Sequence, residues 1–105
     1  AGAAMSATWS TDALAYDCAS PGVIGSRHAY SCPAGGIEGS LWGTDIYTND
    51  SSICTAAVHA GRISLAGGGV VTIEIAPGLS SYPSSTRNGI TSSSWGSWFC
   101  SFLFR

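Results

Sequence analysis

The segment from Asp50 to Gly61 constrains the fold most, because it predicts a helix with almost no polar face. It reads DSSICTAAVHAG, in which Asp50 or Ser51 can cap the first turn and Gly61 suits a left-handed C-terminal position. At 100° per residue, apolar side chains fill most of the circumference. The polar residues form a narrow strip: Thr55, His59 and Arg62. A helix this apolar must be surrounded by other elements, and its alanines allow them to approach closely.

In the remainder of the chain, turn residues separate short runs of strand-forming residues, a pattern that predicts short β-strands. The segments 40–47 and 69–76 are rich in β-branched and aromatic residues, and the second alternates apolar with polar positions. Segment 79–97 carries many turn residues, so we predict a loop around a short pairing at Ile90. The chain therefore belongs to the α+β class.

The last segment, WFCSFLFR, is apolar on both faces. Strands that are buried on both faces show this kind of continuous apolar run. We therefore predict a buried final strand that places Cys100, Phe102 and Phe104 inward.

Length and charge narrow the class of partner. The 105 residues fit one domain, and 45% apolar against 10% charged residues excludes intrinsic disorder. A net charge of −2, without any lysine, gives no electrostatic footprint for nucleic acid or for an anionic membrane. Any partner must be recognised by shape, aromatic contact or hydrogen bonding, and we expect a monomer without a cofactor.

The start of the chain has neither the basic region nor the apolar block of a signal peptide, and no apolar run reaches the 18 or so residues that cross a bilayer. We interpret the chain as a mature form or a fragment of a larger protein. Residues 1–14 are expected to be an N-terminal extension or a first strand, and 15–105 the domain. The first few residues are expected to include a cloning remnant, and no part of the fold is predicted from them.

Four cysteines, Cys18, Cys32, Cys54 and Cys100, lack the paired spacing that zinc sites favour. Two disulfides in an oxidising compartment are the better interpretation, which indicates a secreted protein, or a periplasmic or surface protein in a bacterium. Spacing leaves three pairings open. We favour Cys18–Cys32, which closes a local loop, and Cys54–Cys100, which ties the middle of the chain to its end.

Longer motifs carry a family resemblance. The runs LWGTDIYTNDSSICTAAVHAGRIS, GGGVVTIEIAPG and YPSSTRNGITSSSWGSW, with a closing SFLF, resemble the LCCL domain family over about Cys18 to Phe104. The most specific piece is Tyr47 through Gly61. The resemblance implies a single domain in which a central helix is wrapped by two β-sheets.

The resemblance has one departure. Members of this family carry a cysteine just after the CPxG turn, paired with the helix cysteine, whereas CPAGGI, which begins at Cys32, has none. A cysteine stands instead in the final strand, at Cys100. The resemblance therefore implies that the partner of Cys54 has moved to Cys100, with the helix against that strand.

His59 is the first candidate for chemistry, because a histidine at the border of an apolar helix face can act as base, metal ligand or pH switch. We favour a packed, structural histidine whose ring nitrogens bond backbone groups of a neighbouring loop. No second metal ligand lies one helical turn away. A nucleophilic triad of His59, Asp45 and a serine can be drawn, but no serine stands in a GxSxG elbow, so we expect no enzyme.

Aromatic residues are the better candidates for binding. Flat rings with polar edges can stack on sugar rings or anchor protein contacts. These residues are Trp42, Trp95, Trp98, Tyr47 and Tyr82. Core filling stays open for each, because so small a domain needs large side chains to bury enough area. In the same loop-rich segment Arg87, next to Asn88, can pair with a phosphate or carboxylate, with solvated surface as the alternative.

These candidates define a function hypothesis. The predicted ligand-binding residues are Tyr47, Tyr82, Arg87, Asn88, Trp95 and Trp98. The resemblance implies a secreted, non-catalytic recognition module for a microbial glycolipid, a polysaccharide or an extracellular matrix ligand. The alternative is a structural or protein-interaction module of a larger secreted protein. Asn49 also begins an N-glycosylation pattern, which matters only in a eukaryotic secretory pathway.

Overall fold

The computed structural model describes residues 4–105 and contains one helix and two sheets within that range. The helix is α1 (Ile53–His59). The strands are β1 (Met5–Ser6), β2 (Arg27–Cys32), β3 (Gly43–Thr44), β4 (Ile46–Thr48), β5 (Gly69–Pro77), β6 (Thr86–Arg87), β7 (Ile90–Thr91) and β8 (Cys100–Phe104). The predicted α+β class, with a central helix and two short sheets, is confirmed.

The larger sheet has six strands in the order β1-β2-β5-β8-β4-β3, and β6 and β7 form a separate pair. β1 runs parallel to β2, and the other neighbours are antiparallel. β5 is the long central strand and buries Val71, Ile73 and Ile75, as its alternation predicts. The final strand buries Cys100, Phe102 and Phe104, which confirms the prediction for the C-terminal segment.

The helix is enclosed on every side, because all seven of its residues are buried, including Thr55 and His59 of the predicted polar strip. Gly61 follows with φ of 80°, as predicted. The cap, however, is Ser52, whose hydroxyl accepts from the Thr55 N–H at 3.2 Å, and not Asp50 or Ser51. Ser51 is used elsewhere, since its hydroxyl accepts from the Trp42 N–H.

Segment 40–47 is not one strand. Asp45 has φ of 66°, a left-handed conformation that breaks the run into β3 and β4. Segment 79–97 contains the pairing predicted at Ile90, as a hairpin in which Asn88 and Gly89 turn between β6 and β7 with φ of 53° and 79°. This left-handed pair is typical of tight two-residue hairpin turns.

The predicted disulfide pairing is wrong. The bonds are Cys18–Cys100 and Cys32–Cys54, with Cα atoms 5.6 and 5.8 Å apart. The sheet register gives the reason, because Cys32 pairs with Gly69 at one end of β5 and Cys100 pairs with Pro77 at the other. The two ends of a nine-residue strand lie about 27 Å apart. Cys18 lies at the Pro77 end, so it bonds Cys100, while Cys32 faces the first turn of the helix.

Residues before position 15 also pack on this core. β1 pairs with β2, and Ala7 and Ala13 are buried. Residues 1–3 of the predicted extension lie outside the described residues, and where the domain begins stays a prediction.

Candidate functional site

His59 ends the helix with its side chain 0% exposed. Its Nδ1 atom lies 2.9 Å from the Tyr47 hydroxyl, and its Nε2 atom lies 3.1 Å from both the Ser85 carbonyl oxygen and the Ser85 hydroxyl. The ring thus links the helix to β4 and to the segment that enters β6.

The partners of the ring define which nitrogen carries the hydrogen atom in the neutral form. A carbonyl oxygen can only accept, so Nε2 carries the hydrogen and donates to Ser85. In a neutral ring Nδ1 then accepts from the Tyr47 hydroxyl. Burial raises the pKa of that hydroxyl to about 12, so it keeps its proton at neutral pH. The ring is thereby committed to contacts within the fold.

A catalytic triad through Asp45 is not assembled in the structure. The Asp45 carboxylate lies 2.6 Å from the Arg87 guanidinium, and the atom facing His59 Nδ1 is the Tyr47 hydroxyl instead of a carboxylate. The Ser85 hydroxyl near Nε2 also bonds the Thr44 hydroxyl. A nucleophile would need an open cleft beside the ring, and this ring does not contact solvent.

Residues 82–95 form a hairpin with two distinct ends. Its base is the Tyr82–Trp95 pair, which exchanges two backbone hydrogen bonds of 2.8 and 3.0 Å. Its tip is the Asn88-Gly89 turn, beside Arg87. Five residue steps separate Arg87 from Tyr82, which corresponds to roughly 16 Å along the strand.

The polar residues of the hairpin tip are engaged within the fold. Arg87 pairs with Asp45, as above, and the Asn88 side-chain amide donates to the His59 carbonyl at 3.0 Å. Asn88 therefore closes the C-terminal end of the helix, where carbonyl groups lack helical partners.

Four aromatic rings meet at the hairpin base and form a continuous row, here called the aromatic cluster: Trp42, Trp95, Trp98 and Phe99. Successive ring centroids are 6.3, 6.2 and 5.2 Å apart, and the first two contacts are edge to face. Trp95 is 48% exposed and Phe99 is 59% exposed. The cluster therefore offers a large apolar surface to solvent.

Backbone contacts fix this cluster in place. Trp42 is bridged to Ser93 of the hairpin. The Trp98 N–H donates to the Leu79 carbonyl at 3.1 Å. A Cβ atom on Gly78 would clash with the Trp98 carbonyl oxygen, so the close approach of these two loops requires glycine. Rigid placement of exposed rings lowers the entropy that a ligand must overcome.

Beside the cluster is a small cleft of about 20 Å³ lined by Trp42, Thr48, Asp50 and Trp95. Within residues 4–105, the buried Oδ1 atom of Asp50 has no hydrogen-bond partner. Because the helix is capped by Ser52, this carboxylate is left to line the cleft.

Asn49 lies next to this cleft and is wholly buried. Its Oδ1 atom accepts from the Trp98 indole N–H at 2.7 Å. Its Nδ2 atom, the position to which a glycan would be attached, is buried and has no partner among the described residues. Glycosylation at this pattern is incompatible with the folded structure.

The structure divides the six predicted ligand-binding residues. Trp95 and Trp98 come together at the hairpin base, whereas Arg87 and Asn88 lie at the tip. Tyr47 and Tyr82 are 0% and 1% exposed, so neither ring is available to a ligand. Tyr82 instead bonds the Ser101 hydroxyl and accepts from the Leu79 N–H.

Sequence reasoning missed two members of this region. Phe99 was assigned to the buried final strand, yet its ring is exposed beside Trp98. The apolar run WFCSFLFR gives no signal that its first two residues lie outside the sheet. The sequence predicts Asp50 or Ser51 as the helix cap, but Asp50, Ser51 and Ser52 are all good capping residues, so sequence alone could not separate them.

Among residues 4–105, no helix has the length and apolar character needed to span a membrane. In that range, no three potential metal-ligating side chains cluster together.

Comparison with known proteins identifies relatives. The LCCL domain profile matches residues 8–102. Human vitrin (Homo sapiens) is 37% identical over 83 residues, covering 77% of this chain and 12% of vitrin. Cochlin from Cavia porcellus is 45% identical over 73 residues, covering 68% of this chain and 13% of cochlin. Clotting factor C from Tachypleus tridentatus is 39% identical over 95 residues, covering 84% of this chain and 9% of the relative. The chain thus spans about a tenth of the length of these curated relatives.

Proposed function

Because the chain belongs to the LCCL domain family, we propose that it is a non-catalytic recognition module of the extracellular space that binds glycans on the aromatic cluster. The ligand class is the sugar of a microbial surface glycolipid, such as lipopolysaccharide, or of a polysaccharide or matrix glycan. The observation that carries this proposal is the exposure of Trp95 and Phe99 beside Trp42 and Trp98.

The rest of the domain makes this exposure notable. Several other large aromatic side chains are buried, with Tyr30, Phe102 and Phe104 at most 6% exposed. Contiguous exposed aromatic surface on a small domain marks an interaction site more often than it marks a neutral surface. Indole rings present a flat apolar face and a polar N–H edge, which suits a pyranose ring and its hydroxyl groups.

Non-catalytic action is part of the proposal. It is supported by the burial of His59 and by the Tyr47 and Ser85 contacts that occupy both of its ring nitrogens. Extracellular location is supported by the two disulfides, and one relative is named a cysteine-rich secretory protein.

A second apolar surface supports the alternative of a protein-interaction module. Ile37 is 79% exposed and lines, with Trp9, an open groove of about 390 Å³. This groove has a single ring at its edge, whereas the aromatic cluster has four. We therefore place glycan recognition at the cluster and keep protein contact at the groove as the second candidate.

The test is a screen of the purified domain on a glycan and lipopolysaccharide array, followed by titration of a hit. Trp95→Ala is expected to weaken binding by roughly 1–3 kcal/mol, by analogy with base stacking on aromatic rings. Ile37→Ala is the matched control, because it removes an exposed apolar side chain from the other surface. Equal loss in both variants, or loss in Ile37→Ala alone, would reject the cluster as the site.

A further inference from the structure

The arginine side chains of this domain are gathered in one connected region, although they are far apart in sequence. Glu74, on the central strand, lies 3.1 Å from both Arg27 and Arg105. Arg105 in turn lines a surface cleft whose opposite wall carries Arg62. Three of the four arginines of the chain therefore surround a single carboxylate.

The fourth arginine adjoins the same region. Arg62 also lines a neighbouring cleft with Asp45, and Asp45 binds Arg87 at 2.6 Å. The remaining acidic side chains line neither cleft and belong to no ion pair within residues 4–105: Asp12, Asp17, Glu38 and Asp50. The net charge of −2 thus hides a local excess of positive charge, and such an excess attracts anions.

The cleft between Arg62 and Arg105 is large enough for a ligand group. It measures about 230 Å³, against about 20 Å³ for the cleft beside the aromatic cluster. Both arginines are exposed, so the cleft is reached from solvent. No acidic side chain of residues 4–105 is among its walls, which are Arg62, Val70, Val71, Thr72, Phe104 and Arg105.

Most of the hydrogen-bond donors around this cleft are unused within residues 4–105. The Arg62 guanidinium has a single long contact there, to the Phe104 carbonyl at 3.5 Å. The Arg105 N–H donates to the Thr72 carbonyl at 3.0 Å, which fixes its backbone, and its guanidinium bonds only Glu74. A guanidinium carries five N–H donors, and the Thr72 hydroxyl supplies another.

We propose that this cleft binds a sulfate or phosphate ester group of a glycan, with the guanidinium groups of Arg62 and Arg105 and the Thr72 hydroxyl donating to its oxygen atoms. The planar fork of a guanidinium matches such an oxyanion and bonds it in pairs. A sulfate or phosphate ester has three terminal oxygen atoms, one for each of these three groups, whereas a carboxylate has two.

This site is separate from the aromatic cluster. Thr72 lies five residue steps from Pro77 along β5, which corresponds to roughly 17 Å. Pro77 pairs with Cys100, the residue after Phe99. The inference takes a glycan as the carrier of the anion from the proposed function, and it adds a second contact to that module.

The probes are three forms of maltotetraose: unmodified, sulfated at carbon 6 of each ring, and phosphorylated at the same positions. Binding is followed by the arginine Nε–H signals in NMR, which report on the cleft apart from the aromatic cluster. We expect both charged probes to shift the Arg62 and Arg105 signals, and the tighter one identifies the ester. An equal shift with the unmodified probe, or no shift with either charged probe, would overturn the inference.

Arg62→Gln tests the role of the guanidinium. We expect at least fivefold weaker binding of the tighter charged probe, followed at the Arg105 signal. Arg27→Gln is the matched control, because it removes the same charge beside Glu74 but outside the cleft, and its affinity should stay within twofold of the parent. Equal losses in both variants would show that the probe responds to total charge only, and the inference would fail.

Trp95→Ala separates this inference from the proposed function. It should leave the affinity at the arginine signals unchanged while it weakens glycan binding at the aromatic cluster. If array glycans bind through Trp95 but no charged probe shifts the Arg62 signal, the anion site is wrong and the glycan module stands. If Trp95→Ala leaves array binding unchanged while the charged probes still shift Arg62, the aromatic site is wrong and the anion site stands.

Discussion

The two ends of the 82–95 hairpin carry different residues, which are polar at the tip and aromatic at the base, and these residues have different contacts. At the tip, the side chains of Arg87 and Asn88 bond Asp45 and the end of the helix. At the base, Trp95 and Phe99 keep about half of their surface in solvent. Side chains that are engaged within the fold contribute to stability, and those that keep an exposed face are available to a partner. The comparison predicts that mutations at the two ends separate stability from binding.

A disulfide bond holds the base of the hairpin, and its removal has the largest expected effect on the unfolding free energy. Cys100 follows Phe99 directly and bonds Cys18 across 82 residues of sequence. In the chain-entropy model, removing this bond by Cys18→Ala/Cys100→Ala costs about 4.5 kcal/mol of unfolding free energy. Urea unfolding measures the loss.

The control for this prediction is Cys32→Ala/Cys54→Ala, which opens a loop of 22 residues at the start of the helix. It should cost less, about 3 kcal/mol. Glycan binding should suffer more in the first variant, because that bond adjoins the aromatic cluster. Non-reducing peptide mapping of the parent should yield these two pairs, and recovery of a Cys18–Cys32 peptide would contradict the structure.

The stability of the hairpin tip depends on the buried ring of His59, which bonds Ser85. His59→Ala leaves the Tyr47 hydroxyl and the Ser85 carbonyl without their ring partner, which should lower the unfolding free energy by roughly 1–3 kcal/mol. Affinity per folded molecule should stay at the parent value, because the ring lies away from the base. An unchanged melting temperature together with abolished binding would instead make His59 a functional residue.

Asn88 contributes both a hydrogen bond and a left-handed backbone conformation, and two variants separate them. Asn88→Gly loses the bond to the His59 carbonyl but tolerates φ of 53°, and should cost about 1 kcal/mol. Asn88→Ala loses the bond and also strains the turn, so it should cost about 1 kcal/mol more. Thermal unfolding compares them. Equal stabilities would show that the turn is not strained.

Arg87 has the smallest expected effect. Its pair with Asp45 is solvent-exposed at both side chains, and such pairs contribute roughly 0–1 kcal/mol. Arg87→Ala should therefore change stability little and glycan affinity not at all. A tenfold loss of affinity would contradict the division between tip and base, and would return Arg87 to the ligand site.

Local signals predicted the parts of the fold that depend on neighbouring residues. The apolar helix, the alternation in β5, the inward residues of β8 and the pairing at Ile90 are all readable from short windows of sequence. Serine and glycine flank Trp95, and this side chain is 48% exposed.

What failed depends on contacts that are distant in sequence. The disulfide pairs follow from which end of β5 each cysteine reaches, and the register of a sheet is not visible in cysteine spacing. Local sequence likewise gives no signal that Arg87 contacts Asp45, 42 residues earlier. Arg87 and Trp95 are close in sequence. They lie at opposite ends of an extended hairpin, however, so they are not close in space.

The Cys18–Cys100 bond also has a mechanical consequence. A pulling force applied to the chain on either side of these cysteines passes through the disulfide and bypasses the 81 residues between them. The helix and most of the sheet, with the aromatic cluster, would therefore bear little load while the bond is intact. Tension applied to the two ends of the chain would stretch residues outside this loop before it deformed the aromatic cluster, and reduction of this one bond would make the domain extensible.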